Sequence, residues 1–167
     1  METIFNRRSV RSFKTDLIEE AKIEKLLRAA MQAPSATNQQ PWEFVVINDK
    51  TIINELVNFS VYATPLKTAT LAIVVLRKED VRAPKFTDQD LGACTQNLLL
   101  EAAHLGLGAV WMGISCGDER EAFVAKLLNT PNNIKPFSVI ALGYPVDDNA
   151  NHFTDRFDAS RIHYNKY

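Results

Sequence analysis

The run Thr70 to Arg77, TLAIVVLR, restricts the fold more than any other segment. It is nearly continuous in apolar residues and rich in β-branched ones. Such a run suits a strand buried on both faces, in the middle of a sheet. It falls far short of the roughly 20 apolar residues that cross a membrane. With 167 residues, the chain matches one domain of about 100–200 residues. A single domain over residues 1–167 is therefore expected, large enough to bury about 70% of its unfolded surface.

The flanking patterns alternate between helix and strand. Ile23, Leu26, Leu27, Ala30 and Met31 recur at helical spacing. Asp16 and Glu19 read as a capping signal before them, and Pro34 as the stop. Glu43–Asn48, EFVVIN, reads as a strand. Ile52, Ile53, Leu56 and Val57 suggest a short helix. Asp88–Leu105 is the longest helical candidate, with Leu91, Leu98, Ala102 and Leu105 on one face and Gly106 as the terminating glycine. Ala109–Ile114 reads as extended. Asp118 and Glu121 repeat the capping signal before a helix to Leu128. Phe137–Leu142, FSVIAL, is a further strand. This order predicts helices packed on a sheet, α/β or α+β. The tail from Asp147 ends in RFDASRIHYNKY, without a compact element of its own; tails of this kind often dock elsewhere, on a partner subunit among other places.

Composition removes several classes of function. Nineteen Lys and Arg against 20 Asp and Glu give a net charge of −1, which excludes strong non-specific attraction to nucleic acid or acidic membranes. Two cysteines, Cys94 and Cys116, make no disulfide framework. A reducing, cytoplasmic compartment fits, and no targeting segment is visible.

Three segments could carry chemistry. Arg7-Arg8-Ser9-Val10-Arg11 sets three guanidiniums and a hydroxyl within five residues. Val10 and Phe13 could anchor it while the arginines grip one anion through bidentate bonds; the plain alternative is a solvated basic stretch. Pro34-Ser35-Ala36-Thr37-Asn38-Gln39-Gln40-Pro41-Trp42 offers donors and acceptors suited to a heterocyclic edge, or else a polar loop bonded to itself. Gly106-Leu107-Gly108 follows a helix, so the dinucleotide fingerprint is not met. Gly113, at a strand end, allows backbone to approach a flat ligand. His104, His152 and His163 lack metal-ligand spacing, and no serine elbow or P-loop occurs. Cys94 reads as a core residue, and Cys116 as a loop thiol. No catalytic side chain and no metal ligand is assigned.

Together, RRSVRSF, APSATNQQPWEFVVI, QNLLLEAAHLGLGAVWMGI and the terminal RFDASRIHYNKY resemble, in order and spacing, the FMN-dependent nitroreductase family. The resemblance covers nearly the whole chain. It implies an α+β fold with a mixed sheet sandwiched by helices, a homodimer with FMN at its interface, and a C-terminal tail exchanged between subunits. Carried over, Arg7, Arg8, Ser9 and Arg11 match the first FMN segment. Arg7 and Ser9 would hold the phosphate or ribityl chain, and Arg11 would lie near the pyrimidine edge. Pro34, Ser35, Ala36 and Asn38 match the loop that the partner lays against the flavin. Met112 and Gly113 match the backbone facing the ring. Arg156 resembles the basic residue that returns to the phosphate, with Arg161 a weaker match. The stretches Phe59–Leu66 and Val81–Asp88 are short beside larger members, in which they roof the site.

The function this implies is NAD(P)H-dependent reduction of nitroaromatic, quinone or similar acceptors, by ping-pong hydride transfer through flavin N5. NADH or NADPH is the transient reductant, with neither nucleic acid nor membrane as partner. Two other readings stand beside it: a same-fold flavoenzyme working as a dehydrogenase or on another acceptor, and a non-enzymatic carrier or sensor of flavin or another anionic ligand.

Overall fold

The computed structural model describes residues 2–167. Among these, four strands form one sheet: β1 (Trp42–Ile47), β2 (Leu71–Lys78), β3 (Gly108–Gly113) and β4 (Ile134–Gly143). Their order is β1-β2-β4-β3, and each neighbouring pair is antiparallel. The four-stranded sheet is thus antiparallel, where the resemblance implies a mixed one; parallel pairing is limited to an isolated bridge from Ser9 to Ala109, outside the named strands.

The apolar run TLAIVVLR lies on the inner strand β2, where Leu71 to Arg77 are all buried. Successive side chains alternate between faces. Leu71, Ile73 and Val75 enter a core with the helices α2 (Glu20–Met31) and α4 (Thr87–His104). Ala72, Val74 and Leu76 enter the opposite core, with α3 (Lys50–Leu56) and α5 (Glu119–Leu128). The α+β sandwich thus follows from one strand that needs cover on both sides. Leu91, Cys94, Leu98 and Ala102 of α4 are buried at helical spacing. Each fully buried leucine contributes about 1.5–3 kcal/mol relative to exposure.

Several details depart from the sequence reading. A short helix α1 (Glu2–Asn6) opens the chain without having been anticipated. Asp16 does not cap α2; that helix begins at Glu20, and its N-cap Glu19 makes no capping bond. The Glu19 carboxylate instead accepts from the Tyr144 hydroxyl at 2.7 Å and pairs with Lys22 at 3.4 Å. Met31, expected on the apolar face, is exposed. At α5 the expectation holds, since the Asp118 side chain accepts from the Arg120 N–H at 2.9 Å. Strand β4 runs longer than FSVIAL and takes in Pro136, which pairs with Leu76 beside a register shift where Phe137 is the extra residue. Proline is tolerated there because a bulge removes the need for its missing donor.

Two terminal segments lie against this frame. The first is pinned along β3 and β4: Val10 N–H donates to Ala109 O at 3.0 Å, and Lys14 N–H to Tyr144 O at 2.8 Å. Val10 and Phe13 are buried, as their anchoring role requires. The second is the tail: residues 152–167 are exposed throughout. No helix among the described residues is long and apolar enough to cross a membrane.

Candidate active site

Anchoring by Val10 and Phe13 fixes the arginines around them. Arg7 lies half-buried, and its basicity is lowered by burial and then by the charges of Arg8 and Arg156. The sequence places Arg156 149 positions downstream, yet the fold returns it to the same neighbourhood. Among the described residues, none of Arg7, Arg8, Arg11 and Arg156 forms an ion pair. Arg8 is held in place: Nη1 donates to Arg7 O at 2.7 Å and to Phe5 O at 3.0 Å, and Nε to Thr154 Oγ1 at 3.2 Å. Its Nη2 is buried without a partner. Gathered guanidiniums without an ion-pair partner, and one buried donor unmatched, suit an anion. Arg161 differs, because its guanidinium is tied to Asp158 at 3.0 Å.

Farther along the same segment, Arg11 lines a cleft of about 500 Å³ together with Met112 and Gly113 of β3. Arg11 Nη1 donates to Ser9 O at 3.1 Å, which aligns the guanidinium along the strand edge. A Cβ placed on Gly113 would meet only Trp111 Nε1, at 3.8 Å, so the backbone there is open to a flat ligand. The far wall is Phe59, Ser60, Val61 and Tyr62, with Arg120 from α5.

Pro34, Ser35, Ala36 and Asn38 stand elsewhere. Their loop leads into β1, at the sheet edge opposite β3. Three strand spacings, roughly 14 Å, separate these edges. Here Thr37, Asn38 and Gln40 have φ of 52°, 54° and 45°. Such left-handed backbone costs about 1–3 kcal/mol per residue and persists only where surroundings hold it. Thr37, Asn38 and Gln39 border a second cleft of about 540 Å³ with Lys78, Asp80 and Arg82. The fold therefore brings together Arg7, Arg8 and Arg156, and likewise Arg11, Met112 and Gly113, with Ser9 between the two groups. It keeps the Pro34–Asn38 loop of the same chain apart from both.

A family model for the nitroreductase family matches residues 4–61 and 60–144. The chain belongs to the nitroreductase family. As a nitroreductase family member it is an oxidoreductase. A protein of Archaeoglobus fulgidus, provisionally named NADH dehydrogenase/NAD(P)H nitroreductase, is 40% identical over 172 residues, covering 100% of this chain and 98% of that one. A crystal structure from Clostridium acetobutylicum, provisionally described as an NADH oxidase, has a TM-score of 0.95 and 54% identity, covering 99% of each chain. A structure from Desulfovibrio desulfuricans, provisionally described as a nitroreductase in complex with FMN, has a TM-score of 0.82 and 27% identity, covering 99% of this chain and 95% of that one.

Some polar groups of this nitroreductase escaped the sequence reading. Arg77 ends the apolar run of β2 yet is buried, donating to Asp88 at 3.1 Å, Glu121 at 3.2 Å and Cys116 Sγ at 3.1 Å. Asp90 is 6% exposed on the apolar face of α4. In both, a charge at a core-facing position was the available signal. Tyr62 and Arg120 carried none. Among the described residues, no group of three His, Cys, Asp or Glu could hold a metal.

Proposed function

We propose that this chain is an FMN-dependent oxidoreductase, working as a homodimer, that takes electrons from NADH or NADPH and delivers them to nitroaromatic, quinone or similar acceptors. One observation carries the reading: Arg8 and Arg156 gather around Arg7, none of the three in an ion pair, on the segment whose Arg11 lines an open cleft. The donor set fits FMN. A terminal phosphate supplies the anion that the arginines and the orphan Arg8 Nη2 lack. The cleft beyond, about 500 Å³ with Met112, Phe59 and Tyr62 in its walls, suits a flat ring system.

In this reading Arg7, Arg8 and Arg156 bind the phosphate, and Ser9 reaches the ribityl hydroxyls. Arg11 stabilises negative charge at the pyrimidine end of the cleft. Gly113 leaves its backbone open beside the ring. FMN, when bound, supplies the two-electron chemistry between NAD(P)H and acceptor. The protein's own work is to bind, orient and set the electrostatics, so no side-chain acid, base or nucleophile is assigned. Pro34, Ser35, Ala36 and Asn38 act in the site of the neighbouring subunit. Their separation from Arg7 within one chain supports this composite arrangement, as does the exposed tail.

The test is the visible spectrum of the purified protein, followed by release of its chromophore. FMN at about one per chain, with NAD(P)H oxidation on adding acceptors, is the expected result. A colourless protein that takes up no FMN overturns the reading; a flavoprotein that NAD(P)H cannot reduce supports the carrier instead. Arg7 makes no ion pair, so Arg7→Ala should fold normally. Loss of its charge-assisted bonds, about 1.5–3 kcal/mol, should weaken FMN binding by about ten- to a hundredfold. Unchanged affinity would remove Arg7 from the phosphate site.

A further inference from the structure

The Asp90 carboxylate is 6% exposed and has no cation among the described residues. Its partners are neutral donors in the strained loop. Oδ1 accepts from the Ala36 N–H at 2.9 Å, and Oδ2 from Gln39 Nε2 at 2.6 Å. Gln39 continues the chain of bonds. Its Oε1 accepts from the Ala83 N–H at 2.8 Å, and its Nε2 donates to Ala83 O at 3.2 Å. Two segments distant in sequence thus meet at two side chains: the Pro34–Gln40 loop, and the stretch that runs through Ala83 into the first turn of α4.

A buried carboxylate is costly unless its oxygens are matched. The first turn of a helix is where a negative charge costs least. Thr37, Asn38 and Gln40, the left-handed residues, lie between or beside the bonded ones. Strain of this kind, in a loop, is retained where something overdetermines the backbone. The Gln40 N–H adds a bond to Ser35 Oγ at 3.0 Å.

We propose that Asp90 and Gln39 are positioning residues, a latch that holds the Pro34–Asn38 face in the shape its neighbour's flavin requires and locks the 80–86 stretch to it. This rests on the composite site proposed above and adds the element that shapes one half of it. The latch also makes the loop and the roof stretch around Ala83 one body, so a change in either reaches the other.

The donor pattern supplies the test. In Asp90→Asn the new amide has one acceptor, for Ala36, and turns its NH2 toward that of Gln39. Whichever way Gln39 rotates, it loses either its bond to the new amide or its bonds to Ala83. In Gln39→Glu two carboxylates face each other. The double variant Asp90→Asn with Gln39→Glu restores the pairing of the two side chains: the amide donates to the introduced carboxylate, which still accepts from the Ala83 N–H and gives up only the 3.2 Å bond to Ala83 O.

Full-length dimer would be compared across these variants by FMN titration, by the shape of the bound-flavin absorption band, and by amide exchange of residues 34–40 before FMN is added. Each single variant should bind FMN about tenfold more weakly, with faster exchange in the loop and unchanged oligomeric state. The double variant should bind FMN more tightly than either single variant. Single variants matching the parent in affinity and exchange would overturn the latch, as would a double variant no better than either single one. Gln39→Ala keeps the bond from Ala36 to Asp90, so it reads out the Ala83 junction should Asp90→Asn fail to fold. It too should weaken FMN binding. If the parent itself takes up no FMN, the function proposal fails first, and the titration of parent protein distinguishes the two failures.

Discussion

At the scale of single residues, the two thiols contrast most. Cys94 is fully buried on α4, and burial pushes its thiol up to about 12. Cys116 is exposed and accepts from Arg77 Nη2 at 3.1 Å. An alkylating reagent at about pH 8 should therefore label Cys116 and spare Cys94 in folded protein, because only thiolate reacts. Peptide mapping of the labelled sites checks this; rapid labelling of Cys94 would contradict its burial. The same shift has a consequence for stability. An unfolded cysteine loses its proton near pH 8.5, whereas Cys94 in the fold keeps it until about 12. Between these values the native state binds more protons, so stability falls as pH rises. Cys94→Ala should flatten that alkaline decline in urea unfolding. The role of Cys94 was legible in the sequence, because it sits at helical spacing from Leu91 and Leu98. That of Cys116 was not, since its partner Arg77 lies on another element, 39 positions away.

At the scale of elements, the glycines of β3 and β4 explain why the arginine segment lies where it does. A Cβ on Gly108 would sit 2.6 Å from Val10 Cγ1 and 2.8 Å from Val10 Cβ. A Cβ on Gly143 would sit 2.7 Å from Phe13 Cβ. These are atoms close to the backbone, which cannot swing aside as a long side chain can. Gly108→Ala or Gly143→Ala should thus push the Val10–Phe13 segment off the sheet, costing about 1–3 kcal/mol for overpacking. Both should also weaken FMN binding, since Arg7, Arg8 and Arg11 ride on that segment. Thermal unfolding and FMN titration together test the claim; a loss of stability with intact affinity would separate the segment from the cofactor. Periodicity located the four strands and the long helix within a few residues, because burial on a fixed face writes a repeating pattern. It identified Gly106 as a helix end, and φ of 75° there agrees. The reason for Gly108 lay across the sheet, in contacts that no local pattern encodes. Pro136 hid the first part of β4 in the same way, since only the opposing strand reveals the bulge.

At the scale of the whole molecule, two features are unexplained by one chain alone. The candidate cofactor residues divide between opposite edges of the sheet, Arg7 to Arg11 beside β3 and Pro34 to Asn38 before β1. The tail, meanwhile, leaves Phe153 61%, Phe157 76% and Tyr164 83% exposed. Each large aromatic side chain offers about 150–250 Å² for burial, and clusters of such exposure mark interaction surfaces. The proposed homodimer, with its tails exchanged, would satisfy both at once: it would cover the aromatics and set one chain's loop beside the other's arginines. A chain ending at Asn151 keeps the bond from Arg8 N–H to Asn151 Oδ1 and leaves both cores untouched. It should fold, sediment as a monomer, and lose most of its FMN affinity. Because truncation also removes Arg156, full-length Arg156→Ala serves as the control, expected to stay dimeric while binding FMN about tenfold more weakly. A truncated chain that still sediments as a dimer would show that the tail does not hold the subunits together. A monomer with parent-like FMN affinity would show instead that one chain completes the site, and the division of Arg7 and Asn38 between two edges would then need another cause.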